Sequence, residues 1–343
     1  MEPEVIVEIG NSHEGSLGIA CSFIDMAASA GATAVKFQLH MARFESTLDE
    51  PFRVNMGQQD SNRFEYWERT SFDEREWCML ADHAQQRGLE FLCTPFSREA
   101  AELLETHKLV SRWKIGSGDA TNLSLLEFIA GTEKDLILST GLLNWNELLQ
   151  VRDFLQARGA WERTTLMYCV SKYPTPLSDL SLAGVQELRS LGRPVGFSDH
   201  TGDLTASMFM LANSVHLIEV HMTPHRDFFG PDTSSSLLPA EIKELVDFSR
   251  KVKILRDGTK LRDCVYSECV ETAKIFRKGL YWKASKPPKS IVSMEDLSFK
   301  KPTVGLDALK ATQLVGLELE RAVVEGNPVQ LSDLRNDIDA ATS

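Results

Sequence analysis

The chain has 343 residues, 43 % hydrophobic and 25 % charged, with 37 basic against 49 acidic residues and a net charge of −12. That length suffices for about two domains and for a core that needs no disulfide or metal to hold it. The acidic balance argues against nucleic acid or an anionic membrane as partner, and no run of about 18 apolar residues offers a membrane span.

Eight short apolar or β-rich runs, each ending in polar or ionisable residues, succeed one another: Val5–Glu8, Ala34–Gln38, Phe91–Thr94, Trp113–Ser117, Leu136–Thr140, Leu166–Cys169, Pro194–Asp199 and Leu217–His221. Helical stretches separate most of them. Ser16 suits the N-cap of the first. Leu17, Ala20, Cys21, Ile24, Ala27 and Ala28 then share one face at helical spacing, and Gly31 supplies a left-handed stop. Further helices are predicted over Asp73–Arg87, Arg98–Glu105, Asn144–Arg158, Leu182–Leu191 and Pro239–Leu255. Alternating strands and helices predict a parallel sheet, and eight such units in about 250 residues is the size of a (β/α)8 barrel. An open doubly wound sheet would need a Gly-rich phosphate turn after the first strand. The segment EIGNSHEGS has Gly10 and Gly15 but no GxGxxG.

The polar segment Met41–Arg69 follows the second strand and is too long for an ordinary barrel loop, so it is expected either as a wall or lid over the top of the barrel or as a surface insertion. Past Leu255 the pattern changes. The reading is an α/β chain with a barrel over 1–255, a charged irregular linker over 256–275, and a small mixed β domain over 276–343. The opening MEPEVIVEIG lacks the basic and apolar regions of a secretory signal. None of the six cysteines, Cys21, Cys78, Cys93, Cys169, Cys264 and Cys269, forms a CxxC pair, so free thiols and a reducing cytoplasm are expected.

Residues at the C-terminal ends of barrel strands share one site. Here they are Glu8, Lys36, Gln38, Thr94, Lys114, Ser117, Ser139, Ser171, Ser198, His200 and His221, where branched aliphatics would be usual. Lys36 and Lys114 are point-charge partners for phosphate or carboxylate, or alternatively Schiff-base nucleophiles. Serines beside glycines in IGSGD, LSTG and FSDHTG add hydroxyl and N–H donors. His200 and His221 end adjacent strands and can share a divalent ion with positions left open. Mn²⁺ or Mg²⁺ accepts such a set, and imidazole tilts the choice toward Mn²⁺, Co²⁺ or Zn²⁺; His13, His40 and His225 are secondary candidates. A metal-dependent enzyme acting on a phosphorylated, carboxylated small molecule, a Schiff-base aldolase and a non-catalytic binding protein are the three readings these residues allow.

The segments EIGNSHEGS, AVKFQ, FLCTPFS, WKIGSGD, ILSTG, YPTP, FSDHT and FFGPD, in that order, resemble the sialic acid (N-acetylneuraminate) synthases and their pseudaminic and legionaminic acid synthase relatives. DLSFKKP and VVEGNPVQLSDL are similar to that family's C-terminal antifreeze-like (SAF) domain. The resemblance implies condensation of phosphoenolpyruvate with an acylamino-sugar aldehyde. It implies Lys114, Ser117, Ser139, Ser171 and Ser198 at the phosphate, and Lys36 and Thr94 at the carboxylate. His200 and His221 would hold the metal, and Glu8 would lie at the reacting carbons, with Glu8 and His200 as proton-transfer groups. Gln38, Asp119, Tyr173 and Asp232 would face the sugar, and the chain would form a domain-swapped homodimer. Several positions depart from the family's pattern. Ser12 replaces a common asparagine, Asp119 a glutamate, and Val220 the lysine of EKH; His225-Arg226 stands for a DR pair. Lys301 stands for an arginine that reaches the sugar's acyl group, and lysine lacks that planar fork. Against the family's pattern the metal and phosphoenolpyruvate half is intact and the sugar half is altered, so the acceptor ranges over N-acetylmannosamine, a related hexose or a non-standard aldehyde.

Overall fold

The computed structural model describes residues 3–54 and 59–335. The chain divides into two compact units, Met1–Asp257 and Gly258–Ser343.

In the first unit eight parallel strands form a ring: β1 (Glu4–Gly10), β2 (Ala34–Leu39), β3 (Glu90–Pro95), β4 (Trp113–Ile115), β5 (Leu136–Ser139), β6 (Thr164–Tyr168), β7 (Val195–Asp199) and β8 (Leu217–Met222). Hydrogen-bonded neighbours run β3-β2-β1-β8-β7-β6-β5-β4. β4 packs beside β3, so the barrel is nearly closed. This is the α/β barrel that the alternation predicts. Helix Leu17–Ala30 starts on Ser16, whose side chain accepts from the Ile19 N–H, and stops at Gly31 with φ +82°. Two helices that periodicity misses, Leu123–Ala130 and Leu204–Ala212, are almost uniformly apolar and show no polar face to count against.

Side chains alternate across each strand. Ile6, Ala34, Leu92, Ile137, Met167 and Leu217 make a buried plug inside the ring, separate from the larger core between strands and helices. Two residues further along the same faces come Glu8, Lys36, Thr94, Ser139 and Glu219, all buried. The aliphatic plug therefore ends where the polar layer begins. Glu8 pairs in register with Lys36 on β2 and His221 on β8, and Ser198 with Glu219.

The plug leaves no room at Gly196. A Cβ there would press on the Met167 sulfur and lie 2.9 Å from the Leu217 carbonyl oxygen. Gly196→Ala should therefore lower stability by about 1–3 kcal/mol through overpacking. A chemical-denaturation midpoint unchanged from the parent would show that the ring relaxes instead.

The second unit begins with two short helices, Arg262–Glu268 and Val270–Phe276, where an irregular linker over 256–275 was expected. The helix Pro239–Asp257 also runs into that range. Neither short helix contains Gly or Pro, and Asp263 and Glu271 place negative charge in their first turns. Neither buries a residue, so no burial pattern marks them in the sequence. An antiparallel pair, Gly279–Trp282 with Leu297–Lys300, then packs with Val292, Leu314, Leu319 and Val329. All six cysteines are free. Among the described residues, no helix is long and apolar enough to cross a membrane.

Candidate active site

The polar layer opens into a cavity of about 480 Å³ at the C-terminal end of the strands. Its wall includes Glu8, Lys36, Gln38, Thr94, Lys114, Ser117, Ser139, Ser171, Tyr173, Ser198, His200, His221 and Asp232. Every strand-end residue singled out in the sequence thus reaches one space. Asp119, which the resemblance puts at the sugar, is not part of the wall, and its Oδ1 accepts from Asn122 Nδ2 at 3.3 Å. Burial pushes its carboxyl up to about 6. Lys301 belongs to the second unit, where its ammonium stands 5.7 Å from the Phe276 ring centroid.

Charge is concentrated at the floor. Lys36 Nζ lies 2.7 Å from Glu8 Oε2 and donates to Thr94 Oγ1 at 3.1 Å. Lys114 Nζ donates to both oxygens of Glu219 at 2.8 Å. Glu219 also stands 3.7 Å from Lys36 and accepts from Ser198 at 3.2 Å. Glu8, Lys36, Lys114 and Glu219 are each at most 4 % exposed at the side chain. Burial opposes ionisation of Glu219, but Lys114 and Lys36 outweigh it and hold the carboxyl down at about 2. The lysines diverge for a physical reason. Burial pulls both down, but Lys36 has two carboxylates beside it and ends above the ordinary lysine value. Lys114 has Lys36 as a cationic neighbour and ends below it.

Glu219 carries no role in the sequence reading, although it contacts both lysines. The available signal was its position two residues before His221, on the same inward face of β8. Arg53 was also missed. It lies in the insertion after β2, donates to Asp232 Oδ1 at 2.6 Å, and covers the Tyr173 ring at 4.4 Å. Phe52, Arg63, Tyr66 and Trp67 from the same insertion line the cavity, so described residues of the segment Met41–Arg69 form part of its wall.

His200 and His221 form a pair with ring centroids 5.5 Å apart. His200 Nδ1 hydrogen-bonds the Val170 carbonyl oxygen at 2.9 Å, so that nitrogen carries the hydrogen and Nε2 is the bare one. Ser198 Oγ and the Tyr173 hydroxyl stand 3.3 Å from that Nε2. Burial, with His221 adding to it, lowers His200 to about 4, leaving a neutral imidazole. A neutral ring whose second nitrogen is anchored on a carbonyl is the form that binds metals. Asp232 adds a carboxylate 3.8 Å from His221 Nδ1. Among the described residues no group of three or more His, Cys, Asp and Glu converges on one metal position. The donor set is therefore two imidazoles, which fits a divalent ion that keeps most positions open.

A sequence model of the NeuB family matches residues 23–260. The chain belongs to the NeuB family. It is 32 % identical to the N,N'-diacetyllegionaminic acid synthase of Campylobacter jejuni over 91 % of this chain and 94 % of that protein. It is 28 % identical to a pseudaminic acid synthase of Campylobacter jejuni over 96 % of each. The crystal structure of the sialic acid synthetase of Leptospira borgpetersenii superimposes with a TM-score of 0.68 at 27 % identity, covering 79 % of this chain and 91 % of that one. These NeuB relatives are synthases, and this NeuB chain is an enzyme of that class.

Proposed function

We propose that the enzyme condenses phosphoenolpyruvate with the aldehyde of an acylamino sugar, N-acetylmannosamine or a related hexose. The products are a nonulosonic 2-keto-3-deoxy acid and inorganic phosphate. The observation that carries this reading is the buried pair Lys36 and Lys114, ringed by Thr94 and four serines and set beside two imidazoles. Lys114 with Ser117, Ser139, Ser171 and Ser198 binds the phosphate, and Lys36 with Thr94 binds the carboxylate. The two lysines already face Glu8 and Glu219, so a substrate with several negative charges calls for further positive charge. His200 and His221 are the residues to hold it as a divalent ion, Mn²⁺ first, with Mg²⁺ or Co²⁺ as alternatives. When bound, such an ion supplies Lewis-acid polarisation of an aldehyde oxygen.

The electron pair of the C2=C3 double bond forms the new bond from C3 to the aldehyde carbon, whose C=O π pair moves onto the aldehyde oxygen; that oxygen takes a proton from solvent and becomes a hydroxyl. Glu8 steadies the positive charge left on C2. Water adds there, giving one proton to Glu8; the C2 hydroxyl then passes its second proton to the departing phosphate as the C2–O bond breaks, which leaves the 2-keto group. Lys114 and the hydroxyls stabilise the departing charge in a largely dry pocket. Gln38, Tyr173 and Asp232, with Arg53 above them, make the acceptor side. Assembly as a homodimer in the cytoplasm belongs to the same proposal.

The test is phosphate release from phosphoenolpyruvate with a panel of hexosamine-type aldehydes. Release should require an aldehyde, disappear with EDTA and return with Mn²⁺. No release with any aldehyde rejects the reading. Burial lowers Lys114, the direction an amine nucleophile needs, so borohydride with pyruvate is the companion measurement. Covalent capture of pyruvate would favour the aldolase instead.

A further inference from the structure

One chain of contacts leads from the insertion to Glu8, and its outer members, His40 and Glu45, play no part in the steps above. Gln38 Nε2 donates to Glu8 Oε1 at 2.6 Å. On its other side, Gln38 Oε1 stands 3.2 Å from His40 Nε2. His40 Nδ1 lies 2.6 Å from Glu45 Oε1. The His40 ring is clamped between Trp67, 3.6 Å away and within 4° of parallel, and Phe96 at 4.1 Å. His40 is buried, and the Glu45 side chain is 8 % exposed.

The chemistry of these atoms fixes a direction. Carboxamide and carboxylate oxygens only accept hydrogen bonds, so both ring nitrogens of His40 are donors here, Nε2 to Gln38 and Nδ1 to Glu45. That turns the NH₂ of Gln38 toward Glu8, whose other oxygen faces Lys36. Without His40 the amide oxygen loses its donor, and the Glu8 carboxylate alone orients Gln38. The stack and Glu45 hold the imidazole in the one orientation that does this. Glu45 and Trp67 both belong to the insertion after β2.

We propose that His40 is a positioning residue that fixes the amide of Gln38, and through it the carboxylate of Glu8, so that packing of the insertion around His40 sets the geometry of the reacting centre. The proposal rests on the condensation reading for its kinetic consequence, and on hydrogen bonds alone for its structural one.

His40→Phe keeps a flat ring between Trp67 and Phe96 but removes both ring nitrogens. It should lower kcat about tenfold to a hundredfold, the scale of a small misplacement of a reacting group. KM for phosphoenolpyruvate should stay within about threefold, because no residue assigned to the phosphate is touched. His40→Gln restores an N–H near the lost one and should recover most of the rate. In the Gln38→Leu background His40→Phe should have almost no further effect, because its target is gone. Additive losses in that cycle, or no rescue by His40→Gln, overturn the proposal.

A second readout does not use activity and covers a His40→Phe that fails to fold. In ¹⁵N–¹H spectra of ring-labelled protein, the His40 signal, assigned by its loss in His40→Gln, should show a protonated Nε2 that shifts in Gln38→Leu. A bare Nε2 overturns the positioning chain even if phosphate release is intact. Absence of phosphate release in the parent enzyme, with Nε2 protonated, strikes the condensation reading and leaves the chain standing.

Discussion

Glu219→Ala should lose about 3–5 kcal/mol of stability, the usual penalty for removing one partner of a buried ion pair. Lys114 makes its two hydrogen bonds to a side chain to this carboxylate, and in the variant it would be a buried ammonium with Lys36 nearby. Glu219→Gln keeps the shape but removes the charge, and should lose less because a carbonyl oxygen remains for Lys114. The loss has a definite pH dependence. Lys114 and Lys36 depress the Glu219 carboxyl from an ordinary 4.5 to about 2 against the opposing effect of burial. The stabilisation is therefore fully present above about pH 5 and fades as pH falls from there toward 2. Urea titrations of parent and Glu219→Gln should differ by a constant amount above pH 5 and converge below it. A gap that stays constant down to pH 2 would show that the pairing energy is not what Glu219 contributes. Phosphate release should fall at least about a hundredfold in Glu219→Ala, since Lys114 loses the group that holds it in place, and by less in Glu219→Gln.

Much of this arrangement was legible in the sequence because a barrel converts strand ends into a common site. Once eight β-rich runs are recognised, Lys36, Thr94, Lys114, Ser139, Ser198, His200 and His221 fall together without any knowledge of angles, and they line one cavity. The alternation that buries Ile6 also dictates that Glu8 faces inward. What stayed hidden was pairing. Glu219 is an acidic residue in an apolar strand, and nothing local shows that two lysines from other strands meet it. Arg53 and Trp67 were hidden for a different reason. They sit in an insertion that carries only short helices, and their place in the wall comes from tertiary packing. Asp119 shows the converse. Its motif places it near the site, yet the turn after β4 directs it to Asn122. The missed helices Leu123–Ala130 and Leu204–Ala212 were invisible because periodicity needs a polar face as well as an apolar one.

Glu8→Gln should reduce kcat by about a hundredfold to ten-thousandfold, the range for loss of a positioned proton-transfer group. The substitution is close to isosteric, so the size of the effect reads charge and proton acceptance rather than packing. Glu8 is 1 % exposed; one oxygen meets Gln38 Nε2 at 2.6 Å and the other Lys36 at 2.7 Å. A glutamine could keep its oxygen on one of these donors, but its NH₂ would then face the other donor, Lys36 or Gln38. Some loss of stability is therefore expected as well, and thermal unfolding separates it from the chemical effect. Binding of phosphoenolpyruvate, followed by calorimetry, should be retained or tightened, because removing a buried negative charge frees Lys36 for the substrate carboxylate. That combination, binding kept and turnover lost, is specific to a group that acts on the reacting carbons and not on the ground state. Turnover near the parental value would remove Glu8 from the chemistry and move the search for the proton acceptor to Glu219, the other carboxylate at the cavity floor.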